Sequence, residues 1–518
     1  MNNQSLSKQS SGVGCTHLFK KYSILIYSFF TAIVFLGIAS KSSPLYPTND
    51  WVDVHCFLTM GKGLLNGLIP YIDLYEQKGP VLYFVYAIVA LFSQRNMFGQ
   101  FLLEVITFGL FLYYSAKIAE IYLGKSRLIY LILPILSATI VVGSSFSHGG
   151  SVEQSCLFMF TYGLYTVLLA CHENRPLTFR EALTNGIYAG MLLWIKYTML
   201  GFYIGLCLFV LIWYLIWIRN FKALLATIGQ FLMGLGIVTA IVLVFFLLVG
   251  GLDELYTCYF YNNIFLYPNE DETPLFEKVT SYFDATMYYN YGVAVLLHLG
   301  LIWLALRIIK SPRDILACGL SFFALMFATY LGKGYIYYGL VFSAFGVFGL
   351  IGIARVIQLI RLPKLFAKLT KNYALVYSLI IALCFIPIAW NTFNECPNTY
   401  LLSYDKEDLP TYKFAKIINQ TEDASILNFG FLDGGFYHAA DVLPTCRFFC
   451  TFNIDAPGMW ETQYQHVREG SVDYVITWRP LSNTELGYFG PQKLEFIASA
   501  DFCFEETDFT YCLYKCNN

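Results

Sequence analysis

The chain reads as a polytopic α-helical membrane protein ending in a small soluble α/β domain, and three observations predict this. Of 518 residues, 57% are hydrophobic, 18% aromatic and 13% charged, against roughly 25% charged in soluble domains. Runs of about 18 or more apolar residues, the length of a membrane span, recur from Tyr22 to Trp390. From Asn391 onward the composition turns ordinary, with polar loops and short strand-like runs.

These observations divide the chain into an N-terminal segment (1–21), a membrane domain (22–390) and a C-terminal domain (391–518). The net charge of −2 hides an asymmetry. Residues 391–518 hold 8 Lys/Arg against 18 Asp/Glu, and the first 390 hold 25 against 17. No basic cluster on a polar surface suggests nucleic-acid binding. The first apolar run, Tyr22–Ser40, follows Lys20-Lys21 and lacks a small-residue cleavage site, so it is expected to remain as the first helix.

Candidate spans are 22–40, 100–116, 127–143, 153–171, 183–198, 200–218, 225–249, 287–309, 314–331, 335–354 and 373–390. The apolar piece Gly79–Ser93 is shorter than the ~20 residues a crossing usually takes. Treated as re-entrant, it leaves about 11 transmembrane helices. The loops at 117–127, 172–182, 219–224, 307–314 and 355–371, all basic, then fall inside. That expectation puts the N-terminus in the cytoplasm of a multi-pass plasma-membrane protein. The acidic loop at 251–283 and the C-terminal domain face outward.

The first outer loop (41–78) carries Asp50, Asp53, Asp73, Glu76 and Lys78. Val54, Phe57, Leu58, Gly61 and Leu65 repeat at three-and-four spacing, which predicts an amphipathic helix over Asp53–Asn66 lying on the bilayer surface. Asp53 falls in its first turn, where the helix dipole favours an ionised carboxylate able to take a proton from a hydroxyl. Equally, Asp53 can be a plain helix-start acid and Lys78 a snorkelling interface residue. Pro70-Tyr71-x-Asp73-x-Tyr75-Glu76-x-Lys78-Gly79-Pro80 then turns the chain back to the bilayer.

Together with Trp51-Val-Asp53 and Gly61-Lys-Gly63, this run resembles the first-loop signature of GT-C fold glycosyltransferases. It is most similar to the protein O-mannosyltransferase and lipid A aminoarabinose transferase group. The specific motif covers about thirty residues, although the layout extends over the membrane domain. The resemblance implies an acid near the end of the first span as catalytic base, and a lysine-containing turn near the donor phosphate, here Lys78-Gly79-Pro80. Many relatives carry adjacent acids at the base position, whereas Asp50 and Asp53 stand three apart. Asp53, nearer the helix, is taken as the base, with Asp73 as a second catalytic acid and Glu76 at the donor site.

Three further outward-facing residues are assigned to donor binding. Glu153 follows Ser147-His-Gly-Gly-Ser151 at a helix start, where it can also serve as a dipole partner. Lys196 interrupts an apolar stretch, where an unpaired charge is costly; a lipid phosphate or Glu153 would pair with it. Lys333 is flanked by Gly332 and Gly334, with Tyr335, Tyr337 and Tyr338 readable as an interfacial belt. The acids of 251–283, including Asn269-Glu270-Asp271-Glu272, read as solvated.

The C-terminal domain shows strand-like runs at Ala424–Phe431 and Val472–Thr477 and a hairpin or edge strand at Phe502–Tyr514. It lacks phosphate-loop and dinucleotide patterns. Its six cysteines (Cys396, Cys446, Cys450, Cys503, Cys512, Cys516) permit up to three disulfides outside the cell; the Cys-x3-Cys pairs lack the histidines of a zinc site. No metal ligands or certain cofactor emerge, and a divalent cation stays open.

The resulting expectation is an enzyme that moves a hexose or pentose from a polyprenyl-phosphate donor to a lipid, glycan or protein acceptor. Membrane lipids surround it and nucleic acid is excluded. The competing expectation is a lipid or oligosaccharide transporter or a polymerase of envelope polysaccharide. A transporter is expected to carry broken helices at mid-bilayer in both halves, often as repeats; no clear repeat is seen, and the charges gather on one face.

Overall fold

The structure is a computed structural model that describes residues 7–267, 273–359, 373–490, 493–504 and 507–517. The acidic run 269–272 and residues 360–371 of the last basic loop lie outside the described residues. The apolar runs become helices because lipid offers a backbone no hydrogen-bond partners. In order they are α1 (Ser7–Ala39), α2 (Val52–Leu65), α3 (Pro80–Phe92), α4 (Phe98–Leu123), α5 (Ile129–Val141), α6 (Val152–His172), α7 (Phe179–Ile195), α8 (Gly201–Trp213) and α9 (Phe221–Val249). A short turn, α10 (Leu252–Leu255), leads into α11 (Leu275–Tyr289), α12 (Tyr291–Ala305), α13 (Pro312–Thr329), α14 (Val347–Leu359) and α15 (Tyr373–Glu395).

Among the described residues eight helical stretches are long and apolar enough to cross a membrane, or nine if α11 and α12 are one span bent by 111°. The expected spans at 127–143 and 183–198 correspond to the shorter α5 and α7, of 13 and 17 residues. α3 has 13 residues as well, so length does not by itself separate a re-entrant helix from a crossing. α1 packs on α4 and α5, α7 along α9, α8 along α13, and α12 along α14.

Helix α1 begins at Ser7, inside the N-terminal segment 1–21. Two expectations are corrected here. The stretch 251–283 is not a plain loop: it holds α10, a wide helical turn over Tyr256–Leu266 and most of α11. The helix expected over Asp53–Asn66 is present as α2, but it does not lie on the surface. Val54 through Gly61 are all buried. One side of α2 meets α3 so closely that a side chain at Gly61 would strike the Tyr86 backbone. The other side carries Cys56, Thr59 and Lys62, whose partners lie in the C-terminal domain. The three-and-four repeat marked one apolar face, while small and polar residues on the other face are covered by a second domain.

That domain carries a four-stranded sheet of order β1-β2-β4-β3. β1 (Ile426–Phe429) and β2 (Tyr474–Thr477) are parallel and buried at every position. β3 (Leu494–Phe504) and β4 (Thr507–Cys516) form the antiparallel hairpin. Cys396, Cys446, Cys450, Cys512 and Cys516 are not paired with one another in this structure; the side chain of Cys503 lies outside the described residues. The domain sits on the loop 41–78. Arg447 Nε donates to the Tyr71 carbonyl (3.1 Å), Tyr75 N donates to the Arg447 carbonyl (2.9 Å), and the Tyr75 ring lies between Phe448 and Phe452.

Replacing Gly61 by Leu should overpack the α2–α3 seam and cost about 1–3 kcal/mol or more, read as a lowered unfolding midpoint in detergent. Gly236, with open space where its side chain would go, is the control. Gly236→Ala should stay within about 1 kcal/mol of wild type.

Candidate active site

Of the polar residues singled out in the sequence, Lys78, Lys196 and Lys333 line one cleft, and Glu76 and Glu153 stand against two of these lysines. Asp53 stands in the first turn of α2. Glu76 and Lys78 lie on the turn that feeds α3, locked there by Gly79, whose missing side chain lets the strand touch the Trp194 carbonyl. Gly79 N also donates to the Ile195 carbonyl (2.9 Å), stitching this turn to the end of α7. Ser151 caps α6 by accepting from Gln154 N (3.0 Å), which leaves Glu153 in the first turn free to turn sideways. Lys196 ends α7, and Lys333 follows α13.

The cleft, about 250 Å³, is lined by Lys78, Lys196 and Lys333 together with Gln77, Tyr259, Asn263, Tyr267 and Tyr338. Lys196 Nζ lies 2.6 Å from Glu153 Oε1, with the carboxylate 2% exposed, and sits 3.4 Å above the Tyr338 ring. Lys78 Nζ is 4.0 Å from Glu76 Oε1. Glu76 is fixed in turn by Lys78 N (2.7 Å) and by the Tyr83 hydroxyl. Lys333 Nζ lies 4.2 Å over the Tyr267 ring and donates to the Asn453 carbonyl of the C-terminal domain (3.5 Å). Gln77 Nε2 donates to the Asn453 side chain (2.8 Å), so this domain forms part of the cleft's rim.

Asp53 is behind the tyrosines, its Oδ2 accepting from Tyr337 OH (3.5 Å). Burial raises its pKa above the ordinary carboxylate value; Lys78 and Lys196 oppose the shift, while Glu76 and Glu153 reinforce it. Lys78 moves the opposite way to its burial. Desolvation works against its charge, yet Glu76 and Asp53 hold its pKa above the usual lysine value.

Asp50 occupies different surroundings. Its oxygens accept from Lys41 Nζ (2.8 and 3.0 Å) and Tyr400 OH (3.2 Å), with His148 Nε2 at 3.8 Å. Burial alone would raise its pKa, but Lys41 and His148 bring it below the ordinary value. His148, pushed down to about 3 by burial and by Lys41, is neutral near pH 7. Trp51 divides the two acids, stacking on His148 and meeting Tyr337 edge-on. Asp73 is exposed, its Oδ2 accepting from Ile69 N (2.6 Å), and it is not brought to the cleft. The turn uses that carboxylate to close on itself.

Sequence reasoning missed Tyr259, Asn263 and Tyr267, because the stretch containing them reads as a polar loop. It also missed the Lys41–Asp50 pair, although a lysine on the expected outer side, against the positive-inside pattern, is itself a signal that an acid is near.

The whole arrangement has the fold of a known class of membrane enzyme, the GT-C architecture that the first-loop motif led one to expect. Two crystal structures of ArnT from Cupriavidus metallidurans share it. The apo state superposes at a TM-score of 0.58 and the form bound to undecaprenyl phosphate at 0.57, each at 13% sequence identity. The alignments cover 97% and 96% of this chain and 98% of the ArnT chain. No protein-family model matches the sequence, and no curated protein matches it.

Lys41→Met would leave the Asp50 charge buried without its partner, which typically costs about 3–5 kcal/mol. The unfolding midpoint near pH 7 should fall sharply. The Asp50 contribution is present above the ordinary carboxylate pKa and lost as pH falls through the lower folded value. The mutant's deficit should therefore shrink in acid, which a pH series of melting curves reads directly.

Proposed function

We propose that the chain is an integral membrane glycosyltransferase that takes its sugar from a polyprenyl-phosphate donor at the extracytoplasmic face. The observation that carries this reading is the convergence of Lys78, Lys196 and Lys333, from three separate elements, on one cleft beside Asp53. Three ammonium groups suit a phosphate, and undecaprenyl phosphate is the ligand of one ArnT structure of the same fold. A lipid-borne donor also accounts for a sugar-transfer site at the ends of membrane helices.

In the proposed reaction Asp53 accepts the proton of the acceptor hydroxyl as its oxygen attacks the anomeric carbon. The bond from that carbon to the phosphate oxygen breaks, with inversion. The phosphate leaves with its charge balanced by the lysines. Lys78 is freer than Lys196 to meet the phosphate, since its own acid stands 4.0 Å away whereas Lys196 is held at 2.6 Å by Glu153. Glu76 and Glu153 position these ammonium groups. No step is routed through a metal ion. Eleven crossings with the N-terminus inside and residues 391–518 outside complete the proposal, supported by the basic loops; a reporter fused after Asn391 should give an extracytoplasmic signal.

Lys78→Met, Lys196→Met and Lys333→Met should each weaken binding of a polyprenyl-phosphate sugar per folded molecule; Lys196→Met, which leaves Glu153 buried without its partner, should also lower the unfolding midpoint. Normal binding by all three variants would move the phosphate site elsewhere.

Asp53→Asn should lower transfer per folded molecule by about 10²–10⁴-fold, the usual size of a general-base contribution, while donor binding survives. Asp50→Asn should instead act through stability. Because burial raises the Asp53 pKa, the rate should climb with pH through a midpoint above the ordinary carboxylate range, and that limb should vanish in Asp53→Asn. Near-wild-type transfer by Asp53→Asn would remove the base from this account.

A further inference from the structure

We propose that Cys56 and Cys450 are joined in the mature protein by a disulfide that fastens the C-terminal domain to α2. Their sulfurs lie 4.0 Å apart across 394 residues of sequence, and both side chains are buried, 2% and 0% exposed. Cys56 stands one turn beyond Asp53 on α2. Cys450 belongs to the segment that continues to Asn453, the residue gripping Gln77 and Lys333 at the cleft's rim. A disulfide bond is about 2.05 Å long, so forming it brings the sulfurs about 2 Å closer than the 4.0 Å seen here.

The flanking contacts hold the two partners in this register. Thr59 donates to Asp433 (2.6 Å), Lys62 pairs with Asp441, and Arg95 Nε reaches Asp441 Oδ2 at 3.0 Å. A bond at Cys56 would thus fix the helix that carries Asp53 against the domain that carries the rim.

The proposal rests on the outward placement of residues 391–518, because disulfides persist in oxidising compartments. The oxidant is an oxidised dithiol carrier protein. One cysteine, as thiolate, attacks the carrier disulfide and forms a mixed disulfide, releasing one carrier thiolate. The second cysteine then displaces the other carrier sulfur. The pair loses two protons and two electrons, and the carrier disulfide becomes a dithiol. Burial raises both thiol pKa values in the folded state, so the exchange belongs to the interval before the domain finishes docking.

The test uses the full-length protein, extracted into detergent in the presence of a maleimide, denatured without reductant, digested and analysed by mass spectrometry. The expected result is a cross-linked pair of peptides containing Cys56 and Cys450 that disappears on reduction. In Cys56→Ser the linked pair should be absent, and Cys450 should become alkylated after denaturation. Reduction should also lower the unfolding midpoint of wild type and leave that of Cys56→Ser unchanged, a difference that survives even if the variant is less stable. Alkylation of both cysteines in unreduced, denatured wild type overturns the proposal. The reporter after Asn391, run in parallel, assigns the failure: a cytoplasmic signal faults the topology, an extracytoplasmic one faults the pairing.

Discussion

A lysine at the end of an apolar helix is costly to bury without an acid held against it, and the Lys196–Glu153 contact supplies that acid between two helices. The capped start of α6 and the broken end of α7 must stay in register for a 2.6 Å contact to form. The turn carrying Glu76 and Lys78 is then tied to α7 through the Gly79–Ile195 backbone bond. Burial is the largest influence on the proton affinity of Asp53, and the same pairs that hold the helices together adjust it, since Asp53 feels all four charges. Loss of any one charge would move both structure and chemistry, since a buried network is rarely a sum of independent pairs.

The C-terminal domain is part of this arrangement rather than an appendage. Tyr75 is sandwiched by two of its phenylalanines, Arg447 ties down the first-loop backbone, and Asn453 reaches the cleft through Gln77 and Lys333. A small sheet with β1 and β2 buried at every position is a rigid platform for such contacts. It accounts for why α2 can afford polar and thiol residues on its outer side.

Much of the fold was legible because lipid imposes a simple rule on the chain. Apolar runs of span length must become helices, and the hydrophobic strands of the last domain stand out against its polar loops. Lys78, Glu153, Lys196 and Lys333 were also legible, because charge beside glycine or at the end of an apolar run is conspicuous. What stayed hidden was pairing across distance. The periodicity of Val54, Phe57 and Leu58 cannot tell a lipid surface from a covering domain. Asp73 and Glu76 are equivalent as sequence, yet one closes its own turn and the other meets Tyr83 and Lys78. Asp50 and Asp53 differ by the lysine that happens to stand at position 41. Tyr259, Asn263 and Tyr267 came from a stretch whose helical turn has no strong periodic signature.

The account's central claim is that the lysine-lined cleft holds a sugar-bearing polyprenyl phosphate while Asp53 activates an acceptor. The most direct measurement is to incubate purified protein in lipid with a panel of polyprenyl-phosphate sugars and acceptors and to follow release of polyprenyl phosphate. The expected result is release with a particular donor, slowed by about 10²–10⁴-fold in Asp53→Asn and slowed by mutation of Lys78. Intact donor throughout, coupled with movement of a glycolipid from one leaflet to the other in the same vesicles, would contradict it and favour a transporter.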